Sequence, residues 1–242
     1  MISKIIDNLK ILLIALFIAV LIRSLFFQPF YIPSSSMEPA LLVGDRIFVS
    51  KYSYGYSKHS FPFSPPILKN RIFFKKPNYG DLVVFKTPSD NRTDFIKRLI
   101  GIPGDEIQII KGELFINKQK LNQNKIGKRS DIKCAGSSQD VLVFEEKLPN
   151  KKTHIAVYKE KGSMVNSDVY IVPENHYFFL GDNRDCSSDS RFLSNVGYVH
   201  EKNLVGKAQI IFFSNDTNKG SLFKFWNWNN SLRMDRFFKL LK

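Results

Sequence analysis

A chain of 242 residues has room for one large domain or two small ones. Its 43% hydrophobic and 14% aromatic content supports a packed core and sets disorder aside. A net charge of +14 raises nucleic acid as a partner, but the lysines are scattered among Asn and Ile with no zinc-finger, helix-turn-helix or RNP-type pattern beside them, so no nucleic-acid role is expected.

The first element is an unbroken apolar run from Ile11 to Ile22, bounded by Lys10 and Arg23. Apolar residues continue on both sides, at Ile5, Ile6 and Leu9 and again at Leu25, Phe26 and Phe27. Both bounding charges can snorkel from the ends of a longer helix. The residues Ser24 to Pro29 offer no small-x-small cleavage site, so an uncleaved transmembrane anchor over 9–29 is expected. Lys4 and Lys10 precede the run and place residues 1–8 in the cytoplasm.

The next stretch, IPSSSMEPAL from Ile32 to Leu41, holds Ser36 in a turn stiffened by Pro33 and Pro39. Leu41 to Tyr52 is apolar and broken by a turn signal at Gly44-Asp45. From Tyr52 to Pro77, aromatic residues such as Phe61, Phe63 and Phe73 alternate with prolines. Two readings stay open there, a buried loop or an apolar patch that dips into a bilayer. β-Branched runs predict strands at Asp81–Lys86 and Asp94–Ile100, and Lys111-Gly112 predicts a hairpin between Glu106–Ile110 and Glu113–Asn117.

Over 112–162 Lys, Asn and Ser rise and apolar runs shorten. That stretch reads as a surface insertion with a solvated basic face, dividing a core made of 30–111 and 163–242. Further strands are expected at His154–Tyr158, Val169–Val172, His176–Leu180 and Leu204–Phe213. Ser231 to Lys242 has the spacing of a short amphipathic helix, with Leu232, Phe237, Phe238 and Leu241 on one side. Phe225, Trp226 and Trp228 would extend the aromatic patch. Helical periodicity is otherwise nearly absent, so the body is mainly β.

Three segments carry chemistry. Ser34, Ser35 and Ser36 form a row, and a serine-rich turn would account for them alone. Lys97 lies in a strand between Phe95 and Leu99, which share its face; apolar surroundings keep an amine neutral and able to take a proton. The polar loop GDNRDCSSDSR, Gly181 to Arg191, directly follows an apolar strand, where function concentrates. A rigid hydroxyl and a neutral amine can form a nucleophile and base pair. No metal or cofactor is expected, because His59, His154, His176 and His200 show no ligand spacing. Cys134 and Cys186 would pair in an oxidising compartment, and two free thiols is an equal alternative.

Taken in order, PFYIPSSSMEPALLVGD, GDLVVFK, DFIKRLIGIPGD and GDNRDCSSDSR resemble the bacterial type I signal peptidases (leader peptidases), over most of the chain outside the insertion. The resemblance implies a signal-peptidase-like antiparallel β catalytic body with a β insertion, preceded by one N-terminal transmembrane helix. It implies a metal-free serine endopeptidase that removes signal peptides from exported preproteins, using Ser36 as nucleophile and Lys97 as general base. Ser34 and the Ser36 N–H match the oxyanion hole, and Ser187 the serine that orients the amine. Asp182, Arg184, Asp189 and Arg191 match the supporting loop, and Arg98 supports it from the strand of Lys97, with ion pairs Asp182–Arg98 and Asp189–Arg191. Phe30, Ile32, Met37, Val84, Phe95 and Ile96 match the substrate pockets. Ser35, Ala40 and Cys186 depart from the usual glycine, threonine and asparagine.

The implied setting is the bacterial inner membrane, with a single pass, a cytoplasmic N-terminus and the catalytic body on the outer face. Preprotein signal peptides and membrane lipid are the expected partners, with no obligate protein partner. Ser36 follows Phe27 by nine residues, a reach of at most about 30 Å from the membrane edge. Two rivals are a Ser-Lys self-cleaving repressor-like protease and a non-catalytic membrane-tethered scaffold. The first wants a DNA-binding domain, and the chain opens on an apolar span instead.

Overall fold

The computed structural model describes residues 2–160, 162, 164–220, 226 and 228–241; Phe225 and Lys242 lie outside the described residues. Helix α1, Ile2–Leu25, is apolar on all sides from Ile11 to Ile22, and an 18-residue window within Lys4–Leu25 has a mean hydropathy of 2.5 with none of that window buried. Only a lipid phase satisfies such a surface, and 22 residues span about 33 Å, close to the thickness of a bilayer core. The helix stops short of the expected end at residue 29. Phe27, Gln28 and Pro29 instead pair with Ser50, Val49 and Phe48, where backbone ladder bonds replace helical ones.

That pairing joins β1, Phe27–Tyr31, to β2, Asp45–Ser50, antiparallel. The main sheet continues through β3, Leu82–Lys86, and β4, Asp94–Gly101. A second sheet holds β5, Glu106–Ile110, β6, Glu113–Ile116, and β7, Gln119–Lys120. A third is built from β8, Asn122–Cys134, β9, Ser137–Lys147, and β10, Thr153–Lys159. Strand β11, Tyr170–Ile171, returns to β5. Strands β12, His176–Leu180, β13, Val199–His200, and β14, Leu204–Ser214, then complete a main sheet ordered β1-β2-β14-β3-β4-β12-β13.

Strand β3 alternates between two cores. Leu82 and Val84 pack with Ile32, Met37, Ile47 and Val205 on one face, and Val83 and Phe85 with Leu99, Phe179 and Leu204 on the other. A strand buried on both faces reads as a continuous apolar run, as LVVFK does. A third core, around Ile100, Ile107, Leu114 and Phe178, joins the second sheet to the first.

The segment 112–162 divides between two sheets: β6 and β7 belong with β5, and β8–β10 form their own. Most of β8 is exposed, yet Glu146 and His154 point inward and are buried. The expected C-terminal helix is not formed among the described residues. A four-residue helix α2, Trp228–Ser231, precedes a 3-10 turn at Met234–Arg236 and a short strand β15, Lys239–Leu240, on the edge of β14. Tertiary contacts override the helical spacing there. Arg236 is buried against Asp45 at 2.6 Å, and the Leu241 N–H donates to the Gln209 carbonyl. In the Tyr52 to Pro77 segment Tyr54 and His59 are buried, as a packed loop would have them, whereas Phe63 and Phe73 stand exposed.

Candidate active site

Ser36 sits in a 3-10 turn, Ser35–Met37, directly after β1. Met37 and Ile32 anchor this turn in the core, so the backbone around the hydroxyl is fixed from both sides. Lys97 comes from the middle of β4, paired with Val83 of β3, and is only 4% exposed. Its Nζ lies 2.6 Å from the Ser36 Oγ and 5.3 Å from the centre of the Phe95 ring. Burial pulls the amine down to about 8, outweighing the carboxylates of Asp189 and Asp182, which act the other way. The two side chains are thus a hydroxyl and an amine, in contact and 61 positions apart in sequence. The second buried amine, Lys51, donates to the His59 carbonyl instead.

The Ser34 hydroxyl lies 3.3 Å from that of Ser36, on the solvent side of the turn. Phe30, Ile32, Met37, Val84, Phe95 and Ile96 all line one cavity of about 460 Å³, together with Ser34, Ser36 and Lys97. Every substrate-pocket residue expected from the sequence therefore meets the dyad in a single cleft. Tyr31, Pro33, Ile47, Thr93, Asp94, Cys186 and Ser188 complete its wall.

Strand β12 runs beside β4, with Leu180 opposite Arg98, so the loop after it reaches the dyad. Asp182 takes two hydrogen bonds from Arg98, both 2.7 Å, and Asp189 pairs with Arg191 at 2.7 Å; both pairs are buried. Asp189 also accepts from the Gly181 N–H. Gly181 must be glycine: a Cβ there would lie 2.2 Å from the Ser187 Oγ and 2.5 Å from the Ser36 carbonyl oxygen. Ser187 departs from expectation. Its hydroxyl is buried with no hydrogen-bond partner, so the bond to the Lys97 amine is not formed. The amine's contact goes to Ser36, and the Ser187 side chain packs on the Gly181 backbone.

Asn183, and the Glu146, His154 and Tyr158 partners of Arg184, complete the surroundings and were given no site role from the sequence. Asn183 donates its backbone N–H to the Ser36 carbonyl and its amide to the carbonyls of Ser35 and Lys133. Arg184 forms a fork with Glu146 of β9, at 2.8 and 2.5 Å, and also bonds the Tyr158 hydroxyl. His154 Nε2 lies 3.2 Å from the same carboxylate. Burial pushes the Glu146 carboxyl up, but Arg184 and His154 outweigh it and hold it below the usual range. Asn183 lies inside the polar loop singled out from the sequence, which is the signal that could have found it; Glu146 carries no local signal, since its partner lies 38 positions away.

Truncation of one partner in a buried pair strands the other charge. Glu146→Ala is expected to lower unfolding stability by about 3–5 kcal/mol, because Arg184 loses its carboxylate in the interior. Urea unfolding checks this, and a loss below about 1 kcal/mol would show that water or another acceptor takes over.

Comparison with known proteins gives one consistent answer. The family model described as "Signal peptidase, peptidase S26" matches residues 5–213. A signal peptidase I from Rickettsia conorii (strain ATCC VR-613 / Malish 7) is 42% identical over 243 residues, covering 93% of this chain and 88% of that one. One from Rickettsia akari (strain Hartford) is 40% identical over 246 residues, with the same coverage. Among solved structures, a signal peptidase I from Enterococcus faecalis V583 is 26% identical, with a TM-score of 0.33, and covers 55% of this chain and 97% of its own.

Proposed function

The chain belongs to the signal peptidase family, peptidase S26, and on that premise we propose that Ser36 attacks the scissile carbonyl while Lys97 takes its proton. It is a membrane-anchored serine endopeptidase of the signal peptidase I type, and its substrates are signal peptides. The observation that carries the residue assignment is the 2.6 Å contact between a buried hydroxyl and a buried amine in the apolar cleft.

In the neutral state the Lys97 lone pair accepts the Ser36 proton as the oxygen bonds to the carbonyl carbon. The charge then on the carbonyl oxygen is met by the Ser36 N–H and the Ser34 hydroxyl. The Lys97 ammonium passes its proton to the departing amine, and the acyl group stays on Ser36. Water attacks that ester in turn, with Lys97 again as base. Arg98, Asp182, Asp189 and Arg191 fix the strand and loop on either side of the amine. Ser187 lies within the same loop and is assigned to orienting the amine once its contact with Ser36 is broken.

The reaction is placed at the outer face of the inner membrane, with the N-terminus cytoplasmic. Lys4 and Lys10 ahead of the span support that orientation, as does the short connection from α1 through β1 to Ser36. Residues 30–111 and 163–242 are assigned to the catalytic core and 112–162 to an insertion on it. The exposed Phe63 is assigned to the bilayer edge. Its loop shares a cavity with Arg23 at the end of α1, and Tyr56 of the same segment donates to the Leu25 carbonyl at 2.9 Å.

Incubation of the purified full-length protein with a preprotein is expected to release one mature product. Failure to cleave any preprotein would favour the tethered-scaffold reading. Small residues such as Ala are expected to be required one and three positions before the cut, because the pocket residues Phe30, Ile32, Met37, Val84, Phe95 and Ile96 are apolar. Efficient cleavage after Arg or Phe in a panel of altered preproteins would overturn that. Ser34→Ala is expected to lower kcat by 10²–10³-fold, about 3 kcal/mol, with little change in KM, since an oxyanion donor acts in the transition state. An unchanged kcat removes Ser34 from the site.

A further inference from the structure

We propose that the Cys134–Cys186 disulfide is a positioning element of the active site, holding the Cys186–Ser187 segment against the dyad so that efficient turnover requires the oxidised form. The inference rests on the function proposed above and names what fixes that site. Its starting point is where the two sulfurs lie. Cys186 lines the substrate cleft with Ser36, Lys97 and Ser188, whereas Cys134 closes β8, 52 positions earlier.

The end of β8 touches the site from two further directions. The Lys133 N–H donates to the Glu38 carboxylate at 2.7 Å, two residues past the nucleophile. The Lys133 carbonyl accepts from the Asn183 side chain at 2.9 Å, and Asn183 holds the carbonyls of both Ser35 and Ser36. The disulfide is the covalent member of this set. It joins β8 to the loop beyond Asn183.

The loop is held by hydrogen bonds at several points. At its start Asp182 is locked to Arg98. Along its middle Arg184 is forked to Glu146, Asp185 accepts from the Lys159 N–H and the Cys186 N–H donates to the Asn183 carbonyl. At its end Asp189 is locked to Arg191 and the Gly181 N–H. Between these anchors the Ser187 hydroxyl is buried with no partner, pressed against the Gly181 backbone and close to the Ser36 carbonyl. A buried hydroxyl without a hydrogen bond opposes its own burial. The covalent bond at the adjacent residue offsets this and keeps the segment at the cleft. A dithiol opens it with simple stoichiometry: the S–S bond breaks, each sulfur gains a proton, and the dithiol is oxidised to its own disulfide.

The test uses the full-length protein in detergent with a preprotein substrate, as the oxidised form, the dithiol-reduced form and the reoxidised form. Alkylation followed by mass measurement confirms the two thiols. Reduction is expected to lower kcat about tenfold with a smaller change in KM, within the ~10²-fold that a misplacement of about 1 Å can cost. Reoxidation restores it. Cys134→Ala, altered outside the cleft, is expected to be slow with or without dithiol. Amide exchange over 34–37 and 185–188 is expected to quicken on reduction while β3 and β4 stay protected.

Unchanged kcat and unchanged exchange in the reduced protein would overturn the proposal. So would activity that falls only in step with melting of the whole β sheet, which makes the bond a brace for the fold. If the oxidised protein cleaves no preprotein, the function is what fails, and exchange over 34–37 still decides whether the disulfide positions that turn.

Discussion

Ser36→Ala is expected to abolish preprotein cleavage, with kcat reduced on the order of 10⁵–10⁶-fold, the scale seen when a serine nucleophile is removed. The fold should survive. The Ser36 side chain bonds the Lys97 amine and approaches the Ser34 hydroxyl, and neither contact supports the sheet. What fixes the turn is main chain: the Ser36 carbonyl accepts from Asn183, and the Leu41 N–H donates to the Met37 carbonyl. Alanine keeps both. Ser35→Ala is the matched control, because Ser35 holds Asn183 through its carbonyl. Cleavage assays beside thermal melts decide the matter. An active Ser36→Ala with an inactive Ser35→Ala would move the nucleophile one position back.

Ser36 and Lys97 could be picked out in the sequence because both residues lie in short segments with local meaning. Two prolines mark the turn of Ser36, and apolar neighbours mark the strand of Lys97. Strand alternation also put Phe95 and Leu99 on the flanks of the amine, and both pack in the core that holds Val83 and Phe85. What could not be read depends on contacts between distant segments. Glu146 and His154 look like ordinary polar residues of a basic, exposed stretch; they become parts of the site only when the third sheet docks against the polar loop. There Val157 donates its N–H to the Asp182 carbonyl. The two cysteines could be counted but not joined, since nothing local sets the distance between β8 and the loop. At the C-terminus the reading failed for the reverse reason. A clear helical spacing was present, and edge pairing with β14 together with the buried Arg236–Asp45 pair overrode it.

The second large effect concerns the base. Lys97→Arg is expected to be inactive, because the guanidinium stays protonated at any working pH and cannot accept the Ser36 proton. For the unaltered protein, kcat/KM is expected to fall about tenfold per pH unit below the titration of Lys97, since only the neutral amine is a base. Burial sets that point at about 8; Asp189 and Asp182 keep it from dropping further, and Arg191 works with burial. The sign follows directly: protonation at low pH removes the base, so the limb is acidic. Lys51 is the competing amine, pulled down to about 7 by burial, with Asp94 opposing. Geometry separates the two, because the Lys51 Nζ is bound to the His59 carbonyl at 3.2 Å and Lys97 touches the Ser36 hydroxyl. Lys51→Met is therefore expected to keep the acidic limb where it is. Lys97→His, a weaker base on a shorter arm, is expected to retain at most a trace of turnover. An acidic limb that persists unaltered in the residual activity of Lys97→Arg would mean that another group takes the proton, and loss of the limb in Lys51→Met would name that group as Lys51.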